Sequence, residues 1–346
     1  MAAVKPAAAL FGLLALPAAA QEGTPTPGML QEYRGLSVRA LEVWVSGRGG
    51  SWGRSLDGGR TWNGGFVPGA DSLVLVDIEA LHGANACVLA TSFDGGLARA
   101  YWTDDGGRIW WRVYERRHPD VFLDGMAFWD QQRGVAFGDP VDGAFHVLRT
   151  DNGCRSWTEV PADALPPPLP GEAGFAASGT AIAAAGDRHA WIGTGGGAVA
   201  RVLRTTDGGR TWTAHETPLV AGTAAGIFGI AFRDTLHGVA VGGNYQSPAD
   251  SGANVLVTSD GGMTWTLVGQ SAPAGVRYGV RYALTEGGPV VAAVGPTGFG
   301  YSRDDGASWV AVDTLNAFTV AVTARAAWVA GPKGRVVRFD PAPWMR

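Results

Sequence analysis

The segment "SLDGGRTW", residues 55–62, combines an Asp-Gly-Gly turn with a tryptophan at a fixed distance. Five further segments share this outline: "TDDGGRIW" (103–110), "TDNGCRSW" (150–157), "TTDGGRTW" (205–212), "TSDGGMTW" (258–265) and "SRDDGASW" (302–309). Their tryptophans, at positions 62, 110, 157, 212, 265 and 309, are spaced by 48, 47, 55, 53 and 44 residues. This spacing is typical of the four-stranded blade of a β-propeller.

Short apolar strands lie between the turns, for example "VWVSG" (43–47), "GVAFG" (134–138) and "GVAVG" (238–242). A seventh unit, residues 318–340, has three such strands and no Asp turn. We expect residues 29–34 to supply its fourth strand, because pairing the two chain ends removes exposed sheet edges. The sequence therefore predicts an all-β fold, a seven-bladed β-propeller of four-stranded antiparallel blades closed by an N-terminal strand; six or eight blades are the alternatives.

The composition agrees with many short strands and tight turns. The chain has 53 Gly and 20 Pro among 346 residues, with 10% aromatic residues, which favours such a fold over helices or disorder. A net charge of −4 provides no strong field for nucleic acid. The two cysteines, Cys87 and Cys154, lie in different local contexts, and we expect two separate thiols. No ligand pattern for a metal is present, and we expect neither a metal nor another cofactor.

The N-terminus has the pattern of a secretory signal. A short basic start precedes the apolar run "PAAALFGLLALPAAA", which ends in an A-x-A site at Ala20. We predict a signal peptide over residues 1–20, a linker over 21–28, the propeller over 29–340 and a tail over 341–346. The mature protein is then periplasmic or secreted, and no later segment is apolar enough to span a membrane.

The acidic residue of each turn has a structural interpretation. Asp and Asn side chains accept hydrogen bonds from backbone N–H groups a few residues ahead. Catalytic carboxylates must converge on one bond, and copies spread around a ring cannot do so. We therefore assign a turn-forming role to Asp57, Asp105, Asn152, Asp207, Asp260 and Asp304.

The pattern S/T-x-D-x-G-x-x-W resembles the Asp-box or BNR repeat of sialidases, sortilin-type receptors and the photosystem II stability/assembly factor family. The third copy departs from it at Asn152 and Cys154, and the sixth has Asp305-Gly306 and Ala307 where most copies have Gly-Gly and Arg. With "YRGLSV", "FLDGMAFWD" and "GVAFGDPVDG", residues 30–340 are most similar to bacterial, signal-bearing relatives of the assembly factors. The resemblance implies a non-enzymatic propeller that binds a protein segment, in the photosynthetic members a segment of a new membrane protein.

The innermost strands line the central channel of a propeller. Every second residue of such a strand faces the channel and is a candidate for a binding site. Alternation places Arg39, Asp77, Glu79 and Arg281 in the channel, among Gly, Ala, Ser and Thr. Buried charges need partners, and two interpretations remain open. The groups neutralise one another in a hydrated channel, or they bind a peptide terminus or small charged ligand, since Arg suits carboxylates.

Further candidates lie at nearby strand ends and loops. These are Asp124, Asp139, Glu172 and Tyr278. The proline-rich insertion over residues 161–179 cannot continue a central strand. We expect it to cross one face of the propeller and to bring residues 172–178 to the channel mouth, where long loops often carry function.

A sialidase-like glycoside hydrolase is the enzymatic alternative. The resemblance would require three arginines, a Tyr–Glu pair and an acidic acid/base residue, for which the chain offers Arg39, Arg54, Arg281, Tyr278 or Tyr282, Glu79 and Asp77. The Arg-Ile-Pro opening of that family is missing, because the first blade begins "SVRALEV". We therefore predict no catalytic residues, and a monomer that binds a protein or peptide segment at the channel mouth.

Overall fold

The computed structural model describes residues 20–22, 31–250, 254–269 and 274–345. These residues form seven four-stranded antiparallel sheets, and the innermost strands of neighbouring sheets contact one another around a closed ring. The prediction of a seven-bladed β-propeller is confirmed. The first 19 residues of the predicted signal peptide and residues 23–28 of the predicted linker lie outside the described residues.

Each blade runs from an innermost to an outermost strand in chain order, apart from the seventh. The innermost strands are β2 (Tyr33–Arg39), β6 (Val74–His82), β10 (Leu123–Phe128), β14 (Ile182–Ala185), β18 (Ala225–Phe232), β22 (Gly279–Thr285) and β26 (Thr319–Val322). The second strands are β3 (Glu42–Gly47), β7 (Asn85–Thr91), β11 (Gly134–Val141), β15 (His189–Gly193), β19 (Gly238–Asn244), β23 (Gly288–Gly295) and β27 (Ala327–Ala330).

The third strands, which precede the Asp turns in six blades, are β4 (Ser51–Ser55), β8 (Ala98–Thr103), β12 (Ala144–Thr150), β16 (Arg201–Thr205), β20 (Val255–Thr258), β24 (Gly298–Ser302) and β28 (Val336–Phe339). The outermost strands are β5 (Asn63–Phe66), β9 (Trp111–Arg116), β13 (Thr158–Glu159), β17 (Thr213–Glu216), β21 (Thr266–Leu267), β25 (Val310–Asp313) and β1 (Ala20–Glu22). Three single 3₁₀ turns complete the described elements: Ala162–Ala164, Pro332–Gly334 and Pro343–Met345.

An N-terminal strand closes the ring, as predicted, but it is not the predicted segment. Strand β1 pairs antiparallel with β28, with Ala20 opposite Phe339. Tyr33 and Arg34, which were expected in this outer strand, instead begin β2 at the centre of the first blade. The alternating pattern of "YRGLSV" suits either an edge or an inner strand, so the pattern alone could not distinguish the two positions.

The six Asp turns share one set of hydrogen bonds. Asp57 Oδ1 accepts the backbone N–H groups of Arg60 at 3.0 Å and Thr61 at 2.9 Å, and its Oδ2 accepts the Thr61 hydroxyl at 2.6 Å. Ser55 Oγ accepts the N–H of Gly59 at 2.7 Å and donates to Asp57 at 2.7 Å. Equivalent bonds fix the turns of Asp105, Asn152, Asp207, Asp260 and Asp304. These acidic side chains are therefore used within their own turns.

The Asp turns pack on the second or third strand of the preceding blade. Trp191 in β15 donates its Nε1–H to the carbonyl of Gly261 in the next turn at 2.7 Å. Trp328 in β27 makes the same contact with Gly58, at 2.9 Å, across the closure of the ring. Both tryptophans are almost fully buried. The turn thus joins neighbouring blades, and burial of these rings adds roughly 2–3 kcal/mol each.

A disulfide joins blades two and three, so the expectation of two separate thiols is wrong. Cys87 and Cys154 are bonded, with their Cα atoms 5.9 Å apart. Cys87 pairs with Glu79 as Trp191 pairs with Ala183, so it occupies the tryptophan position of the second strand. Cys154 lies in the Asp turn that packs there. The two cysteines lie in different local contexts because one belongs to the strand and the other to the turn that packs on it in the next blade.

We expect the Cys87→Ala/Cys154→Ala variant to lose about 4 kcal/mol in its free energy of unfolding. The bridge closes a loop with a sequence separation of 67, and a loop of that length removes this much conformational entropy from the unfolded chain. Urea unfolding of the variant and of oxidised wild type measures the difference.

Cys87→Ala/Cys154→Gly is the matched control. Cys154 has a φ of 72° at a position that is glycine in other turns, so Gly should recover about 1 kcal/mol relative to Ala. Equal stability of oxidised and reduced wild type would contradict a stabilising bridge.

Candidate functional site

Residues 178–180 cross the central channel. The Ser178 hydroxyl donates to the carbonyl of Tyr278 at 2.7 Å, and the Ile230 N–H donates to the carbonyl of Thr180 at 2.8 Å. A Cβ added at Gly179 would lie 2.3 Å from Asp77 Oδ1, so only glycine allows this approach. The segment contacts blades two, five and six and separates two cavities that share no lining residue.

One cavity, here called the charged mouth, lies at the C-terminal ends of the innermost strands. Its volume is about 450 Å³, and its charged lining residues are Arg39, Glu79, Asp130 and Arg281. Alanines from β10, β14 and β18 form much of the remaining wall. The structure thus brings together three of the residues that alternation placed in the channel, Arg39, Glu79 and Arg281.

The charges of this mouth largely compensate one another. Arg281 lies 3.4 Å from Glu79, which also accepts the Ser37 hydroxyl at 2.9 Å. The Arg39 guanidinium donates to the carbonyl of Leu81. Burial raises the pKa of Glu79, while Arg281 opposes the shift. The arrangement leaves little unpaired charge for a ligand.

Asp77 lies deeper in the channel, next to residues 178–180. It is 1% exposed, and its carboxylate accepts the N–H groups of Ile78 and Met126, each at 2.8 Å. Burial and then the neighbouring Glu79 raise its pKa well above the usual range. These bonds tie blade two to blade three, so Asp77 contributes to the packing of the channel wall.

The second cavity, here called the aromatic cup, lies at the N-terminal ends of the innermost strands and has a volume of about 430 Å³. Its rings are Phe93, Phe122, Phe175, Phe228, Tyr245, Tyr278 and Phe318. Phe228 is the centre of this group: it stacks on Phe175 at 4.2 Å and contacts Tyr278 at 5.3 Å between ring centroids. Arg34, Asp124 and Asp139 are its charged lining residues.

The cup arises from irregularities at the start of the innermost strands. The pairing of β2, β10 and β18 with their neighbours shifts by one residue, which leaves Arg34, Asp124 and Phe228 unpaired at equivalent positions. Each of the three is followed by glycine. All three line the cup, whereas Val76, which the same shift leaves unpaired in β6, is buried in the apolar core. The bulge changes the regular alternation, and the polar or aromatic side chains at this position form the cup.

Arg34 fixes one side of the cup. Its guanidinium lies 5.3 Å from the ring centroids of both Phe93 and Phe318. It donates to Glu32 at 2.6 Å and to the carbonyl of Ala176 at 3.0 Å. Arg34 therefore connects blade one to the long insertion, and it shares its ion-pair partner Glu32 with Arg48.

Asp124 and Asp139, here called the carboxyl pair, lie deep in the cup. Asp124 is 1% exposed, and its Oδ2 has no hydrogen-bond partner within the described residues. Burial and the nearby Asp139 raise the pKa of Asp124 well above its usual range. Asp139 accepts the N–H of Gly174 at 2.7 Å, yet burial still raises its pKa to about 6.

The structure places Glu172 away from both cavities, contrary to expectation. Its side chain is fully buried and is bonded to Arg201, with Arg201 Nε 2.9 Å from Glu172 Oε1. The Thr194 hydroxyl and the Leu169 N–H also donate to it. The carboxylate anchors the insertion to blade four, and only the following segment, residues 174–177, reaches the cup.

The hydrolase candidates converge only in part. Arg39, Glu79, Arg281 and Tyr282 line the charged mouth, whereas Arg54 does not. Arg54 lies on the Trp44 ring and pairs with Glu42 at 2.8 Å. Tyr278 is in the aromatic cup, whereas Tyr282 lines the charged mouth. The Tyr282 hydroxyl donates to Asp305 at 3.2 Å, and burial, then Asp305, raises its pKa, which opposes a role as nucleophile.

Sequence reasoning had joined Asp124, Asp139 and Tyr278 with Arg39 and Arg281 in a single mouth. The structure separates them into two, and it adds phenylalanines that the sequence interpretation had not considered. The missed members are Phe93, Phe122, Phe175, Phe228 and Phe318. The sequence did contain a signal for this end of the channel. Near the start of several innermost strands a large or charged residue precedes a glycine, as in "YRGL", "LDGM", "IFGI" and "RYGV".

Fold and cavities together define a seven-bladed β-propeller with a distinct cavity at each end of its channel. Two similar solved structures are YCF48 from Cyanidioschyzon merolae (TM-score 0.62, 15% identity, covering 94% of this chain and 99% of that chain) and YCF48 bound to D1 peptide (TM-score 0.60, 14% identity, 94% and 97%). The predicted resemblance to the photosystem II assembly factors is thus confirmed for the fold. No protein-family model and no curated protein matches the sequence.

None of the helices in the described residues has the length and apolar character needed to cross a membrane. No group of three or more His, Cys, Asp or Glu side chains in that part of the chain is arranged to hold a metal ion.

The raised pKa of Asp139 predicts an unusual pH dependence of stability. An unfolded Asp titrates near 3.9 and native Asp139 at about 6, so the native state retains this proton longer. Asp139 should therefore account for a loss of roughly 2–3 kcal/mol as the pH rises from about 4 to 6. Asp139→Asn, whose amide oxygen can still accept the Gly174 N–H, should lose less stability than wild type by about this amount. Urea unfolding across that pH range measures it.

Asp260→Asn provides a contrast of opposite sign. Burial opposes the shift, but bonds from Thr264 and Thr258 hold the pKa of Asp260 at about 2. Its ionised form therefore adds stability above about pH 4, and the Asn variant should be less stable than wild type at neutral pH. A destabilising effect of Asp139→Asn at neutral pH would contradict the proposed burial of that charge.

Proposed function

We propose that the protein is an exported, non-catalytic β-propeller that binds a peptide or protein segment in the aromatic cup. The observation that carries the proposal is the cup itself: seven aromatic rings around a cavity of about 430 Å³ with few polar groups. Small-ligand and peptide sites have this composition, and aromatic side chains supply most of the binding energy in protein interfaces.

The exposure of the rings supports binding at this end of the channel. Phe93 is 46% exposed and Tyr245 is 44% exposed, whereas Phe228 beneath them is 2% exposed. A partner would cover the two outer rings and fill the space above the inner one. Exposed aromatic groups around a cavity are typical of surfaces that bind a partner.

The charged mouth is the less favourable location. Its arginines already have acceptors, since Arg281 is paired with Glu79 and Arg39 with the carbonyl of Leu81. A ligand carboxylate would have to displace these contacts, which reduces the net gain from the new pair. Recognition of a peptide carboxylate by Arg39 and Arg281 is therefore the second location to be tested.

A similar structure supports the choice of partner class. The fold is shared with YCF48 bound to D1 peptide at 14% identity. By analogy we propose that this chain also takes a peptide segment, and that the segment belongs to a membrane protein. The signal-like N-terminus supports export to the periplasm or beyond. We propose a monomer that binds no nucleic acid.

A random peptide library displayed on phage and selected on the immobilised protein tests this function. We expect selected peptides whose affinity falls about tenfold or more in the Phe93→Ala/Tyr245→Ala variant, because both rings are interface anchors. Both side chains are exposed, so circular dichroism and thermal unfolding should remain close to wild type. Fluorescence polarisation of the labelled peptides measures the affinities.

Arg39→Ala/Arg281→Ala is the matched control at the other end of the channel. Selected peptides should bind this variant with nearly unchanged affinity. Loss of binding in the arginine variant alone would move the site to the charged mouth. Failure to select any peptide that depends on either mouth would refute a peptide-binding channel.

A further inference from the structure

The carboxyl pair is unusual because it has no ion-pair partner within the described part of the chain. Both carboxyls border Gly174: Asp139 accepts its N–H at 2.7 Å, and a Cβ added there would lie 2.5 Å from Asp124 Oδ2. At this buried site the neighbouring Asp139 raises the cost of ionising Asp124. Asp124 Oδ2 has no donor among the described residues, and a buried acceptor without a partner costs about 1–3 kcal/mol. A donor that also carries positive charge would relieve both costs.

We propose that the aromatic cup binds a primary ammonium group of a peptide, which donates hydrogen bonds to Asp124 and Asp139. This inference rests on the proposed peptide-binding function and specifies its ligand chemistry. A lysine side chain and a peptide α-amino group carry the same ammonium, with three N–H donors in a compact group. Such a group can reach two carboxyls on neighbouring strands, β10 and β11, at once.

The walls of the cup suit the stem of such a group. Phe175, Phe228 and Tyr278 line the same cavity as the carboxyl pair and present ring surface to an alkyl chain. Alkyl stems of charged side chains pack well on apolar surface while the charged end stays in a polar environment. Aromatic faces also attract the ammonium itself, so the rings and the carboxyls act on one ligand.

Arg34 shows that two other rings of the cup accept a cation. Its guanidinium lies 5.3 Å from the ring centroids of Phe93 and Phe318. Its donors bind Glu32 and the carbonyl of Ala176, so it does not neutralise the carboxyl pair by a direct contact. Glu32, which also pairs with Arg48 at 3.2 Å, lies 2.6 Å from Arg34 and reduces its repulsion of a second cation.

Three small probes test the inference. N-acetyl-lysine N-methylamide carries the ammonium on its side chain, and norleucine N-methylamide carries it as an α-amine. N-acetyl-norleucine N-methylamide has neither. We expect one or both amines to bind at least about tenfold more tightly than the uncharged probe, because a hydrogen bond between charged groups is stronger than a neutral one. Ligand-observed NMR titration near neutral pH measures the three affinities, and the stronger amine identifies the source of the ammonium.

Asp124→Asn should abolish the preference for the amines while the ring contacts remain. Asp139→Asn serves as a second variant in case the first fails to fold. Asp130→Asn is the matched control, because it removes the same charge at the charged mouth and should retain the preference.

Equal binding of all three probes, or no saturable binding of either amine, would overturn the ammonium inference. Retention of the preference in both Asp124→Asn and Asp139→Asn would overturn it as well. Peptides selected on wild type that still depend on Phe93 and Tyr245 would leave the proposed function standing. Loss of that dependence would remove the proposed function, so the two failures are distinguishable.

Discussion

The hydrogen bonds of the Asp turn determine how one blade meets the next. An acidic side chain accepts two backbone N–H groups and a hydroxyl, as at Asp57, and this fixes the backbone between the third and outermost strands. The fixed turn then presents glycine carbonyls to the preceding blade, where Trp191 and Trp328 donate to them. The hydrogen bonds within each turn thereby help to set the regular spacing of the blades around the ring.

The same contact explains the disulfide. At the one junction where the second strand carries Cys87 and the turn carries Cys154, a covalent bond replaces the donated Nε1–H. Cys154 also adopts a φ of 72° where the motif has glycine. The bridge therefore occupies a repeated position between blades. It links two sheets whose contact cannot be inferred from the sequence around either cysteine.

The fold could be predicted from the sequence because its signals are local and repeated. The spacing of six turns counted the blades, and period-two alternation placed Arg39, Glu79 and Arg281 correctly in one cavity. The site was harder to predict from the sequence, because bulges interrupt that alternation at Arg34, Asp124 and Phe228. A one-residue shift reverses the direction of a side chain, and the sequence pattern contains no direct record of it.

The position of the long insertion was also only partly predictable. Its prolines excluded a central strand, but they could not show that residues 178–180 would enter the channel and separate its two ends. That crossing depends on Gly179 fitting against Asp77 and on bonds to blades five and six. Such contacts join residues about 100 positions apart, which single-sequence patterns do not reveal. As a result, the sequence-based prediction placed residues from both ends of the channel in a single mouth.

Glu172 and Asp124 show how this chain treats two equally buried acids. Glu172 receives donors from Arg201, Thr194 and the Leu169 backbone, so its charge is compensated within the protein. Asp124 is buried to the same degree, yet one oxygen has no donor in the described structure and its neighbour is another acid. Buried polar groups in native proteins are normally satisfied, and exceptions concentrate where a ligand completes the site. The contrast within one chain therefore favours the cup, rather than the balanced charged mouth, as the surface on which a partner acts.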